Sequence, residues 1–197
     1  MFEVEKKINL DMHFGNKIRS EGKFLNQKTF QDVYYDTAQW HYTLQNIWLR
    51  KREQTFELKV GVHKEQGNID RYDEITDPVE ILKKLNLPTT RPISQVLKEN
   101  DITPFCSFQT DRSKYQLGEF AIDIDIATCG DLVYSIAEVE LLVSSEKDIP
   151  KAEEKIVRFL EKESIEWRAI VRAKLSYFLS RNAPAHYAAL LEAKVIK

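Results

Sequence analysis

The sequence predicts an α+β fold, with antiparallel strands in the first two-thirds of the chain and helices in the last third. The first part mostly alternates polar and apolar residues with a period of two, which is the pattern of antiparallel strands with two different faces. The last part instead repeats apolar residues at helical spacing, as in the stripe of Ile156, Val157, Phe159 and Leu160. Eight antiparallel strands could close into a barrel without exposed edges, although the alternation alone leaves closure open.

The eight candidate strands follow one another with few interruptions. They cover residues 2–9, 28–36, 46–53, 55–60, 70–76, 105–117, 119–127 and 134–143. Between the fifth and sixth strands, Asp77 is placed to cap a helix over residues 78–87, with Pro78 at its first position, and residues 92–100 predict another helix. A short helix is expected over residues 14–21. The C-terminal helices are expected over residues 151–163, 172–181 and 185–193.

Composition and charge exclude several classes of protein. A chain of 197 residues with 43% hydrophobic and 30% charged residues fits one globular domain, which we expect to span residues 1–197. Its net charge of −2 provides no overall basic field, so we expect no nucleic-acid partner and no membrane partner. Cys106 and Cys129 have no metal-ligand spacing, and the charged N-terminus has no apolar leader segment. These features favour a cytoplasmic protein, and we expect a monomer.

Charged residues repeat with a spacing of two along the candidate strands, which places each set on one strand face. The sets are Glu3, Glu5 and Lys7; Trp48, Arg50 and Arg52; Glu57 and Lys59; Arg112 and Lys114; Asp123 and Asp125; and Glu138 and Glu140. For any single strand, a solvent-exposed outer face is the simpler interpretation. The charges, however, are sorted by strand: some strands carry mainly pairs of carboxylates and others pairs of Arg or Lys. A surface that serves solubility more often mixes positive and negative side chains. The alternative is that the apolar faces pack under the C-terminal helices and the charged faces turn inward.

A charged interior of this kind would suit a triphosphate and a divalent cation. A triphosphate carries roughly four negative charges at neutral pH, and Arg and Lys side chains bind its oxygens. Mg²⁺ is a hard cation that is usually held by one or two carboxylates, water and phosphate oxygens. Acidic and basic walls around one interior could therefore hold the metal and the phosphates together.

Short motifs in the chain resemble those of the CYTH family, the triphosphate tunnel metalloenzymes. The first is Glu3-x-Glu5-x-Lys7, which resembles the ExExK motif of that family. The others keep the order and approximate spacing of the family: Tyr34-Tyr35-Asp36-Thr37, Trp48-Leu49-Arg50-Lys51-Arg52-Glu53, Glu57-Leu58-Lys59, Glu138-Val139-Glu140 and Arg172-Ala173-Lys174-Leu175. The C-terminal part is most similar to the animal-type thiamine triphosphatases within the family, through Pro184-Ala185-His186-Tyr187 and Leu190-Leu191-Glu192.

The resemblance implies an eight-stranded antiparallel barrel that forms a tunnel, with Mg²⁺ as the cofactor and thiamine triphosphate as the small-molecule substrate. The metal-binding positions of the family match Glu3, Glu5, Asp125, Glu138 and Glu140. The phosphate-binding positions match Lys7, Arg50, Arg52, Arg112 and Lys174. Lys59 matches a catalytic lysine, which would protonate the leaving diphosphate oxygen or orient the attacking water. Ala127 departs from the acidic alternation of vertebrate members, which weakens the expectation of a secondary metal contact there.

Trp48 shares a strand face with Arg50 and Arg52 and has two interpretations. Its ring either fills space near a strand end or stacks on the cationic thiazolium ring of the substrate. A cation over a Trp face contributes about 0.5–2 kcal/mol. The histidines lack ligand spacing, and we interpret them as surface or packing residues: His13, His41, His63 and His186.

Three other functions are compatible with parts of the sequence. An inorganic triphosphatase of the same family would need no aromatic stacking site. A cyclase that makes cyclic AMP is less consistent with the C-terminal motifs. A non-catalytic polyphosphate-binding barrel would not need so many carboxylates together with Lys59.

Overall fold

The chain forms a closed antiparallel barrel, as seen in a computed structural model that describes residues 2–61 and 70–196. Eight strands of these residues form the barrel: β1 (Phe2–Ile8), β2 (Lys23–Asp36), β3 (Ile47–Arg52), β4 (Thr55–Gly61), β5 (Asp70–Ile75), β6 (Thr103–Leu117), β7 (Phe120–Cys129) and β8 (Leu132–Val143). Their order around the barrel is β1-β5-β4-β3-β2-β6-β7-β8, and pairing of β8 with β1 closes it. The predicted α+β class and the closed eight-stranded barrel are confirmed.

Six helices of the described residues flank the barrel. They are α1 (Met12–Glu21), α2 (Pro78–Lys84), α3 (Ile93–Glu99), α4 (Ile149–Lys162), α5 (Lys174–Asn182) and α6 (Pro184–Glu192). Each predicted helix is present, within a few residues of its expected bounds. The predicted cap of α2 is confirmed, because the Asp77 carboxylate accepts a hydrogen bond from the Glu80 N–H. None of the helices in the described part of the chain is both long enough and apolar enough to cross a membrane.

Strands β2 and β6 begin earlier than predicted. The alternation placed their starts at residues 28 and 105, whereas they begin at Lys23 and Thr103. The two strands pair along nearly their whole length, from Lys23 opposite Gln116 to Asp36 opposite Thr103. The first residues of β2 are mostly exposed on both faces, so no polar–apolar alternation marks them in the sequence.

The helices cover apolar parts of the barrel and leave the charged strand faces to its interior. Helices α1 and α4 cover β1, β7 and β8, and α2 and α3 cover β3 and β4. Each fully buried side chain in these layers, such as Ile18 or Ile156, stabilises the fold by roughly 1.5–3 kcal/mol. Helices α5 and α6 form a third cluster with Phe108 and Ala127. Ala127 shares its strand face with Asp125, so this α5–α6 cluster covers one end of the interior.

Candidate metal and phosphate site in the barrel interior

The barrel interior contains a cavity of about 450 Å³. Residues two apart on a strand point to the same side, which brings the charged sets of several strands together. The cavity lining includes every predicted site residue except Asp125, namely Glu3, Glu5, Lys7, Trp48, Arg50, Arg52, Lys59, Arg112, Glu138, Glu140 and Lys174. Of the two interpretations of the charged faces, the inward orientation is therefore the correct one.

Two groups of buried carboxylates lie along β1, β7 and β8. Glu3, Glu5 and Glu140 offer oxygens that lie within 4.8 Å of one another, and so do Asp123, Glu138 and Glu140. The strand register brings them together, because Glu5 lies opposite Glu140 and Asp123 lies opposite Glu138. Glu140 belongs to both groups. Carboxylate oxygens are the protein ligands that Mg²⁺ prefers.

Burial and neighbouring charges act unequally on these carboxyl groups. Burial raises the pKa of Glu140 well above its usual range, and the carboxylate of Asp123 raises it further. Burial also acts to raise the pKa of Glu138, but Lys174 and Arg112 hold that pKa well below its usual range. Burial and, after it, the neighbouring carboxylates therefore disfavour the ionised form of Glu140, and a bound cation would favour that form.

The two aspartates of β7 have different surroundings. Asp125, predicted as a metal ligand, accepts hydrogen bonds from Arg112 Nε at 2.7 Å and Arg112 Nη2 at 2.6 Å, and it also pairs with Lys174. Among the described residues, it belongs to neither carboxylate group. Asp123, which the sequence did not single out as a ligand, lies in the second group and is fully buried. Asp123 thus shares an oxygen group with Glu138 and Glu140, whereas Asp125 pairs with basic side chains, and neither aspartate is among the described residues that line the cavity.

The carboxylate of Asp123 forms ion pairs with two basic side chains of the described residues. Nitrogens of Arg112 and Lys114 are within ion-pair range of its oxygens, that of Lys114 at 3.2 Å. Neither oxygen has hydrogen-bond geometry to a donor in the described part of the chain. Burial raises the pKa of Asp123, although the positive charges of Arg112 and Lys114 act to lower it. The group therefore retains capacity to accept a further ligand.

Carboxylates fix the two arginines of β3. Arg50 donates from Nε to Glu57 at 2.8 Å, and Arg52 donates to both oxygens of Asp32 at 2.8 and 2.9 Å. Asp32 is fully buried. Burial acts to raise the pKa of Asp32, but Arg52 and Arg50 hold it below its usual value. The sequence did not reveal Asp32, because its nearest neighbours on the same face of β2 are aromatic.

Lys59 lies between the acidic and basic side chains. Its ammonium group pairs with Glu3 and, at 2.8 Å, with Glu74. Burial acts to lower the pKa of Lys59, but the carboxylates of Glu3 and Glu5 raise it above its ordinary value. Lys59 therefore keeps its proton at neutral pH.

Lys174 reaches the interior from the first position of α5. The Tyr134 hydroxyl donates to the carbonyl oxygen of Arg172 at 2.8 Å, and the backbone of Ala173 is extended. These residues therefore stay outside the helix, which begins two residues later than predicted. The Lys174 ammonium pairs with Asp125 and, at 3.1 Å, with Glu138.

One part of the cavity is apolar. Trp48 lines it, and its Nε1 donates to Asn46 Oδ1 at 2.8 Å. The Trp48 ring packs against the α5–α6 cluster, whose members Leu175 and Val195 also line the cavity. Ile170 lines the same cavity and is 61% exposed. Trp48 therefore does fill space, while its stacking on a ligand stays a prediction.

The histidines of the described residues lie outside the cavity lining. His186 is buried and stacks on Trp40 with 4.7 Å between ring centroids, so it is a packing residue as expected. His13 and His41 are exposed, and His63 lies outside the described residues. Both cysteines are free thiols.

Comparison with known proteins identifies relatives of the chain. A family model described as the CYTH domain matches residues 1–167. Thiamine-triphosphatases of Macaca fascicularis and Homo sapiens are each 30% identical to the chain, and each comparison covers 98% of this chain and 90% of the relative.

Solved structures share the fold at lower identity. A protein from Pyrococcus horikoshii OT3 has a TM-score of 0.60 at 20% identity, with 91% of this chain and 99% of that chain covered. A putative adenylate cyclase from Vibrio parahaemolyticus has a TM-score of 0.58 at 21% identity, with 91% and 98% covered. A putative adenylyl cyclase from Hippeastrum, described as having a dominant triphosphatase activity, has a TM-score of 0.56 at 15% identity, with 91% and 95% covered. These structures support the fold, and because the family model matches most of the chain, the protein belongs to the CYTH domain family.

Proposed function

We propose that the protein hydrolyses thiamine triphosphate to thiamine diphosphate and phosphate, with Mg²⁺ as its cofactor. The observation that carries the proposal is the meeting of two carboxylate groups with arginines and lysines around one cavity of about 450 Å³. A site for a triphosphate and its metal needs both signs of charge, because the phosphates and the metal carry opposite charges. The names of the macaque and human relatives support thiamine triphosphate as the substrate.

The donor atoms of the carboxylate groups fit a divalent cation. All are oxygens, and those within each group lie within 4.8 Å of one another. The carboxylate of Asp123 is fully buried and pairs by charge with Arg112 and Lys114, and its oxygens lie in one group with those of Glu138 and Glu140. The residues that would hold Mg²⁺ are therefore Glu3, Glu5, Asp123, Glu138 and Glu140. When bound, the metal supplies neutralisation of charge on the phosphate oxygens.

Basic side chains that line the cavity would bind the phosphates: Lys7, Arg50, Arg52, Arg112 and Lys174. A carboxylate already pairs with each of them, so their head groups are oriented before the substrate arrives. Guanidinium has five N–H donors, so Arg52, which donates to Asp32 alone among the carboxylates of the described residues, keeps donors for phosphate oxygens, whereas Arg112 already faces Asp123, Asp125 and Glu138. Such preorganisation reduces the entropy lost on binding. Asp125 would act here by holding Arg112 and Lys174.

Lys59 would act on the reacting phosphate. Because it pairs with Glu3, its ammonium group lies beside one of the carboxylate groups that would hold the metal. A protonated lysine there can stabilise negative charge on the leaving diphosphate oxygen or donate a proton to it. Phosphoryl transfer depends mainly on positioning and charge neutralisation, which these residues would provide.

The organic part of the substrate would lie in the apolar part of the cavity. Trp48, Leu175 and Val195 line this part, and the face of an indole ring attracts a cationic ring such as thiazolium. An inorganic triphosphate has no apolar group to contact these side chains. Their position therefore favours an organic triphosphate.

Hydrolysis of inorganic triphosphate is the second candidate function. Charged side chains dominate the cavity lining, and the packing of Trp48 against the α5–α6 cluster explains its position without a ligand. This alternative uses the same carboxylates and the same basic side chains.

Phosphate release from three substrates distinguishes these functions. The purified protein is given thiamine triphosphate, inorganic triphosphate or ATP with Mg²⁺, and kcat/KM is measured for each. The proposal expects the highest kcat/KM for thiamine triphosphate. A higher value for inorganic triphosphate would favour the second candidate, and no phosphate from any substrate would contradict both.

A further inference from the structure

Phe30 is a buried aromatic side chain on the inner face of the barrel. It is 7% exposed, and alternation along β2 places it on the same face as Asp32. It belongs to none of the three apolar clusters formed by the described residues. A buried apolar ring beside charged side chains needs an explanation other than packing in the hydrophobic core.

The Phe30 ring lies beside guanidinium groups from both neighbouring strands. The central guanidinium carbon of Arg52 is 4.0 Å from the ring centroid, and that of Arg112 is 5.6 Å from it. Strand β2 lies between β3 and β6 in the barrel, which is why one ring on β2 reaches both arginines. The face of an aromatic ring attracts a guanidinium group within about 6 Å of its centroid.

The ring supports these arginines without using their hydrogen-bond donors. Arg52 donates to Asp32, and Arg112 donates to Asp125, so carboxylates fix their edges while Phe30 lies against them. Arg52 and Arg112 line the cavity, whereas Phe30 is not among the described residues that line it. The ring therefore contacts both guanidinium groups without itself belonging to the described part of the cavity lining.

We infer that Phe30 is a positioning residue, which holds Arg52 and Arg112 in the orientation in which they bind phosphate oxygens. The inference rests on the proposed triphosphatase function and adds to it a residue that does not touch the substrate. Because both arginines bind phosphate rather than the organic group, Phe30 supports the binding of thiamine triphosphate and inorganic triphosphate equally.

Substitutions that keep or remove the ring test this role. Phe30→Leu and Phe30→Met keep an apolar side chain without a ring, and Phe30→Tyr keeps the ring. The matched control is Phe24→Leu on the same strand, where the side chain is 53% exposed. For each variant, calorimetry gives the Kd of inorganic triphosphate, and phosphate release gives kcat and KM for both triphosphates. All measurements are made at a temperature well below the midpoint of thermal unfolding of that variant.

Loss of the ring is expected to weaken phosphate binding selectively. Phe30→Leu and Phe30→Met should raise Kd and KM about tenfold, as expected for losing ring contacts to two guanidinium groups. The kcat should change little, because the interaction lost is made equally in the bound substrate and the transition state. Phe30→Tyr and the Phe24→Leu control should keep Kd and KM near the wild-type values.

Each contrary outcome identifies which statement fails. Wild-type Kd and KM in Phe30→Leu, or equal weakening by Phe30→Leu and Phe30→Tyr, would overturn the inference and leave the proposed function intact. If the wild type releases no phosphate from any triphosphate, the proposed function fails, and calorimetry still tests Phe30. A wild type that does not bind triphosphate would overturn both.

Discussion

Replacing Lys59 with methionine removes one charge from the proposed reaction centre and keeps an unbranched side chain of similar length. The Lys59 ammonium pairs with Glu3 and, at 2.8 Å, with Glu74. Its side chain is 16% exposed, so solvent screens its charge only partly. Charge that develops on a phosphate oxygen near Lys59 would therefore be stabilised strongly.

The expected loss in kcat follows from the strength of this charge interaction. With an effective dielectric constant of about 20, two unit charges about 4 Å apart interact by about 4 kcal/mol. Each loss of about 1.4 kcal/mol in transition-state stabilisation slows a reaction tenfold, so Lys59→Met should lower kcat by up to about 10³-fold, the limit for a full unit of charge that develops on the leaving oxygen. General acid catalysis gives the same range, about 10²–10⁴-fold. Lys59→Arg should restore much of kcat if Lys59 acts through its charge, which its raised pKa favours, and little if Lys59 donates a proton.

Steady-state phosphate release at saturating Mg²⁺ and thiamine triphosphate separates kcat from KM. Lys51→Met is the matched control, because Lys51 lies on the adjacent strand over the Phe56 ring, outside the cavity lining. If Lys59 only adds charge to the phosphate-binding site, its loss raises KM and leaves kcat nearly unchanged. A kcat for Lys59→Met within about threefold of the wild type would refute the catalytic role.

Three further substitutions test other parts of the site. Trp48→Ala should lower kcat/KM for thiamine triphosphate by about 3- to 30-fold, through loss of a cation–ring contact, and leave inorganic triphosphate nearly unaffected; equal losses would make Trp48 purely structural. Glu140→Gln should raise the Mg²⁺ concentration for half-maximal rate by about 10- to 100-fold, because Glu140 belongs to both carboxylate groups. The exposed Glu154→Gln is its control, and an unchanged Mg²⁺ requirement would exclude Glu140 from metal binding. Asp32→Asn should lower the free energy of unfolding by about 3–5 kcal/mol at neutral pH, since it breaks a buried ion pair with Arg52. The folded-state pKa of Asp32 is lowered, so this stabilisation is present above the ordinary Asp value and is lost as the pH falls through the folded-state pKa. The difference in unfolding free energy between the two proteins should therefore begin to shrink as the pH falls below about 4, which denaturant titrations measure, and a difference independent of pH would contradict this.

The barrel could be predicted wherever one strand face is charged and the other is apolar. In β1, Glu3 and Glu5 alternate with Val4, and this pattern specifies both a strand and its two sides. The start of α2 could be predicted because Asp77 and Pro78 carry the capping signal themselves. The first residues of β2 could not be predicted, because their exposure on both faces removes the alternation.

The site could be predicted where neighbouring residues on one strand carry the same chemistry. Glu138 and Glu140 are such a pair, and both lie in the carboxylate groups. Asp32 could not be predicted, since its role depends on Arg52 from the adjacent strand. The different surroundings of Asp123 and Asp125 could not be predicted either, because the two residues share a strand face. Their difference arises because Arg112 donates hydrogen bonds from two nitrogens to Asp125 and because Lys174 enters from α5 beside Asp125.

The most direct test of the account is the dependence of thiamine triphosphate hydrolysis on a divalent cation. The initial rate of phosphate release is measured with Mg²⁺, with Mg²⁺ and excess chelator, and after Mg²⁺ is restored in excess of the chelator. The carboxylate groups predict release of equal amounts of phosphate and thiamine diphosphate with Mg²⁺, loss of turnover in chelator, and recovery when Mg²⁺ is restored. Full activity in excess chelator, or no hydrolysis with Mg²⁺, would contradict the account.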